Sequence, residues 1–286
     1  VAIRLIISSP VHPFILSSLH LVTFHAMRLF FALARRAAQR QLTYRAATVA
    51  GLLTNLFFGL LRATVLTALY GEQQTVMGLS RQDVVTYTGL SQAMIAYVSL
   101  FGWYDLMNTV TSGEIAGDLL KPLPLFRFWL AQDLGRAVVA FVLRGLFILA
   151  AYALVVEVTW PRQWPPLLLA LLLGWLVSFA WRFLINLAAF WTPDARGVGR
   201  FAFGVALILS GFFMPLRFYP DWFVTLCNFT PFPLMVNTSV EIYFGLLTGP
   251  ALVRALLIQL GWAVGLIALC HLVLRAGVRR LVIQGG

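Results

Sequence analysis

The chain has 286 residues, of which 60% are hydrophobic and only 11% charged, and its mean hydropathy is +0.87. A water-soluble domain of this length could not cover so much apolar surface, so composition excludes that class. The net charge of +11 does not point to nucleic acid either, because the arginines stand in short clusters between apolar stretches rather than along one face.

Residues 1–26 fit a membrane plan poorly. Pro10 and Pro13 interrupt the apolar run and no small-residue cleavage site follows it, so a dispensable leader is expected, with a single transmembrane domain over residues 27–286. From Met27 to Leu42 the pattern predicts an amphipathic helix on the cytoplasmic membrane surface. Arg28, Arg35, Arg36 and Arg40 take one side, and Phe30, Phe31, Leu33, Ala34 and Ala37 the other.

A spanning helix needs about 20 mostly apolar residues. Six segments approach or meet that length: 46–70, 84–106, 137–156, 166–190, 197–215 and 251–274. Basic residues gather before the first span, after the second and fourth, and after the last, where Arg275, Arg279 and Arg280 stand. The positive-inside rule then puts both termini in the cytoplasm. Cys227 and Cys270 fall near opposite faces in this plan, which disfavours a disulfide between them.

Three arginines fall within predicted spans. Arg144 leans toward cytoplasmic water and can snorkel, while Arg182 leans away from the nearer water and calls for a partner such as Asn186 or Asp105. Arg62 leans toward the membrane centre, where an uncompensated arginine costs about 2.5 to 3.5 kcal/mol on insertion scales. It shares a helical stripe with Gly51, Asn55 and Gly59, a small and polar face suited to a translocation path or an interhelix interface.

The segment from Thr111 to Pro124 reads as a short cytoplasmic helix with defined ends. Thr111 and Glu114 have capping-box spacing, Ile115 and Leu119 share an apolar face, Glu114 and Asp118 an acidic one, and Pro122 follows Lys121 as a stop. Such a helix either presents a face to a partner or merely closes an interfacial loop. Beyond the fifth span, residues 212–245 are too aromatic for a free loop and too proline-rich for one helix. Short helices dipping into the outer leaflet are expected there.

Together these features resemble the permease subunits of ABC-2 type ABC exporters, in the branch with a Gly-Glu-Ile…Leu-Leu-x-Pro-Leu-Pro loop. The likeness runs from about Met27 to Arg280. It rests on the basic N-terminal helix, the Gly113 to Pro124 motif, Phe213-x-Pro215-Leu216 with Pro220-x-Trp222, and Thr230-Pro231-Phe232. The resemblance implies an all-α polytopic fold with six transmembrane helices, an N-terminal interfacial helix and outer re-entrant helices. It also implies that Glu114, Ile115, Asp118, Leu119 and Lys121 form a coupling helix docked on a separate ABC ATPase subunit, which would bind ATP and Mg. A second permease, a copy or a paralogue, would complete the assembly in the lipid bilayer of a bacterial cytoplasmic membrane. The cargo is unidentified, and the aromatic outer segment favours an amphipathic one.

Lysine usage agrees with an ATPase in another chain. The only lysine is Lys121, in Asp118-Leu-Leu-Lys-Pro-Leu123, which cannot be a P-loop. No His-Glu-x-x-His motif or nucleophile-and-base pattern suggests an intramembrane enzyme. An ion-coupled secondary transporter would carry carboxylates within spans. The acids here, apart from Asp105 at a span end, fall in predicted loops or at their edges. That alternative, and a non-transporting assembly partner, stay open beside the exporter.

Overall fold

The computed structural model describes residues 12–43, 45–192 and 194–281, with side chains from His25 onward apart from Arg45 and Ala47. Residues 1–11 of the expected leader lie outside them. Helix α1 (His12–Thr43) runs through Met27 without interruption. Its buried residues Ala34 and Ala37 meet α6 (Leu125–Ala140), where a Cβ at Gly135 would collide with the carbonyl oxygen of Ala34. The amphipathic face thus packs on protein, and the small residues let the two backbones touch. Phe31, placed on that face by its sequence, is exposed.

Helix α2 (Arg45–Ala68) leads to a hairpin, β1 (Thr75–Val76) against β2 (Leu79–Ser80), turned at Met77 and Gly78. Both turn residues have positive φ, 50° and 82°, as a tight hairpin turn requires. Helix α3 (Arg81–Tyr97) starts at a capping box: Asp83 N–H donates to Ser80 Oγ (3.1 Å) and Ser80 N–H to Asp83 Oδ2 (2.9 Å). The helix predicted to reach residue 106 ends at Tyr97, because Ser99 (φ 49°) and Gly102 (φ 106°) turn the chain before α4 (Asp105–Thr111) and α5 (Ile115–Leu119).

Helix α6, a π-helical turn (Phe141–Leu146) and α7 (Phe147–Val155) form one 31-residue rod. At 1.5 Å per residue it is about 46 Å long, more than the roughly 30 Å of hydrocarbon it must cross. The predicted span of 137–156 is only its later part. Helix α8 (Trp164–Asn186) continues as a 3-10 turn to Phe190. Helix α9 (Ala195–Leu209) stops short of the predicted residue 215, and Gly211 (φ 76°) redirects the chain. The aromatic segment contains α10 (Asp221–Asn228), 3-10 turns at Leu216–Phe218 and Phe232–Met235, and α11 (Asn237–Tyr243). Helix α12 (Gly249–Val278) follows.

Among the described residues, four helices are long and apolar enough to cross a membrane: Thr48–Ala68, Leu125–Val155, Trp164–Phe190 and Gly249–Val278. The protein is an all-α polytopic membrane protein. Helix α3 falls below that measure because it is only 17 residues long and carries Thr86, Thr88, Ser91 and Gln92, all buried. Enclosed by other helices, it does not need to face hydrocarbon with every side. Helices α2 and α12 are peripheral and show apolar side chains outward, among them Leu53, Phe57 and Phe58 on α2 and Leu257 and Val264 on α12.

Hydrogen bonds sort the connections into two ends. At one end, Tyr70 donates to Leu79 O (3.1 Å), Arg217 to Met77 O (2.6 Å), Thr159 Oγ1 to Asp83 Oδ1 (2.8 Å) and Tyr243 to Thr159 O (2.6 Å). Burial raises the Tyr243 hydroxyl to about 12, so it remains a proton donor near neutral pH. At the other end, Arg196 reaches Asn108 (2.8 Å) and Arg280 lies over Trp191.

The segment Phe232–Phe244 is buried almost throughout. Its backbone rests on Gly174 of α8, where an added Cβ would lie 2.9 Å from Leu234 O, and Gln259 of α12 donates to that same oxygen (2.8 Å). Asn237 accepts from Leu216 N–H (3.2 Å), which ties the Leu216–Phe218 turn to the start of α11. These contacts answer how a proline-broken stretch satisfies its backbone inside the protein.

Candidate functional site

Three groups of residues draw attention: the loop carrying α5, the stripe on α2, and a buried ion cluster. In the loop, α5 is a five-residue helix whose N-cap, Glu114, makes no side-chain capping bond. The expected Thr111–Glu114 capping box does not form. Thr111 closes α4 instead, its hydroxyl donating to Met107 O (3.1 Å) and Asn108 O (3.0 Å), and Gly113 (φ 80°) separates the two helices.

Ile115 is 0% exposed and belongs to the protein's own core, so its assignment as a partner contact is corrected. Amphipathic spacing marks an apolar face but not which chain covers it. Asp118 is also buried and pairs with Lys121, whose ammonium lies 3.8 Å from the Phe128 ring centre. The outward residues are Glu114, Gly117, Leu119, Leu120 and Lys121, and Leu120 is 88% exposed. Nothing in the helical pattern singled out Leu120.

On α2, Gly59 is buried and Gly51, Asn55 and Arg62 are half-buried, along the side that meets α3 and the rod. Cβ atoms would press on Arg144 at Gly51 (3.0 Å to Cζ) and on Tyr152 at Gly59. Arg144 therefore reaches α2. Tyr152 lies between Gly59 and Gly89, with its hydroxyl 3.2 Å from Thr88 Oγ1. Arg62 Nη2 donates to Ser91 Oγ (2.5 Å), and the guanidinium carbon sits 4.5 Å from the Phe212 ring centre. Arg62 Nε and Nη1 and the Tyr87 hydroxyl are buried without hydrogen-bond partners among the described residues.

The ion cluster was not foreseen. Arg182, 1% exposed, forms a bidentate pair with Asp133: Nη1 to Oδ1 (2.9 Å) and Nη2 to Oδ2 (2.8 Å). Arg136 Nε donates to Asp133 Oδ1 (2.8 Å) and Trp175 Nε1 to Oδ2 (2.8 Å). The expected partners of Arg182 are thus corrected. Asn186 touches only its carbonyl (2.7 Å), and Asp105 is exposed. The placing of every acid in or beside a loop is corrected as well, since Asp133 lies within the rod. Arg136 also donates to Ala96 O (2.7 Å) and Tyr97 O (3.0 Å), and Ser178 to Val98 O (2.5 Å). The cluster therefore supplies donors to the carbonyls that the end of α3 leaves unpaired.

Residues 53–285 match the family described as ABC-2 family transporter protein. The chain belongs to that family. No curated protein and no solved structure matches it. As an ABC-2 family member it is a multi-pass permease of an ABC transporter, a transmembrane component of a class that is generally non-catalytic. For such a permease the three groups have separate places: a loop with an outward apolar residue, a polar stripe inside the helix bundle, and a charged knot where the loop joins α3.

Proposed function

We propose that this permease is the membrane subunit of an exporter whose energy comes from ATP and Mg bound by a separate ABC ATPase. The observation that carries the reading is the outward surface at Glu114, Leu119, Leu120 and Lys121, held rigid from behind by buried Ile115 and by the Asp118–Lys121 pair. An exposed leucine amid charges is the kind of anchor a helix-in-groove contact uses. This loop corresponds to the Gly-Glu-Ile…Pro-Leu-Pro branch motif. In this reading α3 with α4, and α9 with the chain after it, complete six crossings. Both termini lie in the cytoplasm of a bacterial cell, and the aromatic segment is re-entrant from the outside. A second permease, a copy or a paralogue, faces this one, and the Gly51, Asn55, Gly59 and Arg62 stripe borders the path of an amphipathic cargo.

Asp133 is the buried carboxylate that an ion-coupled transporter would need, but both its oxygens are occupied by Arg136, Arg182 and Trp175. That occupancy argues against proton coupling through it. The test is Leu120→Asp, made in the tagged permease co-expressed with its genomic neighbours. Membrane insertion is expected to stay normal, while ATPase co-purification falls at least about tenfold, as for loss of an anchor residue. Undiminished co-purification of the ATPase with Leu120→Asp would remove the loop from the interface.

A further inference from the structure

An apolar cavity of about 350 Å³ lies between α3, the later part of the rod, α8 and α11. Its floor is closed by buried residues, among them Ala93, Met94, Leu167 and Val240. Its mouth is open at Leu146, Ala150, Ala153, Trp160 and Trp164, all exposed. These residues continue into the outward apolar surface of Phe147, Leu154, Leu168 and Leu172. The cavity thus opens sideways, onto the surface that hydrocarbon covers.

One lining group breaks the apolar pattern. Ser239, on α11, is 1% exposed, and its Oγ has no hydrogen-bond partner among the described residues. Leaving a buried hydroxyl unpaired has a cost, and the group is satisfied only by something entering the cavity. Water is a poor occupant, since an apolar cavity of this kind stays dry and accepts hydrocarbon, and a water needs two to four polar partners. The volume is in the range of small-ligand pockets. Trp160 and Trp164 at the mouth are the residue type that settles at the lipid headgroup level.

We propose that this cavity is a lateral binding site for one acyl chain of a bilayer phospholipid. The hydrocarbon lies along Met94, Leu149 and Leu171, and the ester carbonyl accepts from the Ser239 hydroxyl. The π-helical turn helps to shape it, because Phe141 and Leu146 at its two ends both line the cavity. Such turns concentrate at functional sites. The site is separate from the α2 stripe and needs neither ATP nor a partner chain, so its test does not depend on the export reading.

The experiment places the full chain in vesicles of phosphatidylcholine and phosphatidylglycerol containing a trace of phosphatidylcholine with a photoactivatable diazirine on its acyl chain. Labelled residues are mapped by mass spectrometry. Met94 and Val240, which bulk lipid cannot reach, are expected to be labelled beside lipid-facing Leu257 and Val264. Ala150→Trp, at the exposed mouth where it leaves the core untouched, is expected to abolish label at Met94 and Val240 and spare α12. Ser239→Ala is expected to reduce that label about two- to tenfold, the effect of one hydrogen bond. Label confined to α12 would overturn the site, as would floor label that survives Ala150→Trp. Floor label indifferent to Ser239→Ala would overturn the ester contact.

Discussion

Of the three arginines on predicted spans, Arg182 and Arg62 have opposite surroundings. Arg182 is enclosed by a carboxylate that takes two of its N–H groups, by Ser178, and by the aromatic rings of Trp103 and Phe179. Arg62 has one hydroxyl and the face of Phe212, while its Nε and Nη1 are without partners among the described residues. A buried charge that is fully paired holds a structure in place, and removing one partner exposes the cost of the other. A buried cation with spare donors contributes less to the fold than it costs in desolvation, so its retention is better explained by something it does. The first arrangement suits a joint; the second suits a surface that meets cargo.

The sharpest way to break this comparison is Arg182→Ala. It would leave buried Asp133 with one cation, Arg136, and the Trp175 N–H, and loss of one member of such a pair costs about 3 to 5 kcal/mol. A large fall in thermal stability in detergent is expected, with poor recovery from the membrane. The double change Asp133→Leu with Arg182→Leu is expected to recover part of that loss, since the fully buried charges are then gone and the remaining cation, Arg136, is partly exposed and keeps its bonds to Ala96 O and Tyr97 O. Equal stability of Arg182→Ala and the parent would mean that the knot is not what holds α6 and α8.

Sequence showed half of this comparison. The α2 stripe was legible because Gly51, Asn55, Gly59 and Arg62 repeat at helical spacing in an otherwise apolar run, and the structure sets Gly51, Gly59 and Arg62 against neighbouring helices. Asp133 was not legible, because Arg127, Asp133 and Arg136 depress hydropathy and pushed the predicted span forward to residue 137. The i,i+3 spacing of Asp133 and Arg136 was a helix signal that hydropathy overrode. The ends of α3 and α9 were missed for a related reason. Apolar content continues through Leu100 and Phe101 and through Phe212 and Phe213, while the breaks are set by backbone conformation at Ser99, Gly102 and Gly211. Ile115 shows a third limit, since a helical pattern cannot say whether an apolar face meets its own chain.

A middle-sized effect separates the two tasks of the knot. Arg136→Leu leaves the Arg182–Asp133 pair intact but removes the donors to Ala96 O and Tyr97 O. Unpaired buried carbonyls cost about 1 to 3 kcal/mol, so a loss smaller than that of Arg182→Ala is expected. The chain around Ser99 should also loosen, read as faster amide hydrogen exchange at residues 98–104 than in the parent. A loss of stability with unchanged exchange there would mean that Arg136 serves the ion pair alone.

The smallest effect on stability is expected at Arg62, and it tests the other side of the comparison. Arg62→Leu removes one hydrogen bond to Ser91, but Ser91 keeps its own bond to Thr88 O (3.0 Å), so no new group is stranded. It also removes two buried nitrogens, Nε and Nη1, whose N–H groups have no partner among the described residues. These terms oppose each other, and the net change is expected to stay within about 1 kcal/mol, the size of one hydrogen bond. Transport by the reconstituted complex is expected to fall severalfold although insertion and ATPase binding are normal. Arg144→Leu is the control. Arg144 lies within the π-helical turn and against Gly51, so its loss should affect packing more than transport. If Arg62→Leu instead destabilises the protein as much as Arg182→Ala, its spare donors are satisfied within the fold and the contrast between the two arginines disappears. If transport is the same for Arg62→Leu and the parent, the stripe is an interface between helices and the cargo passes elsewhere.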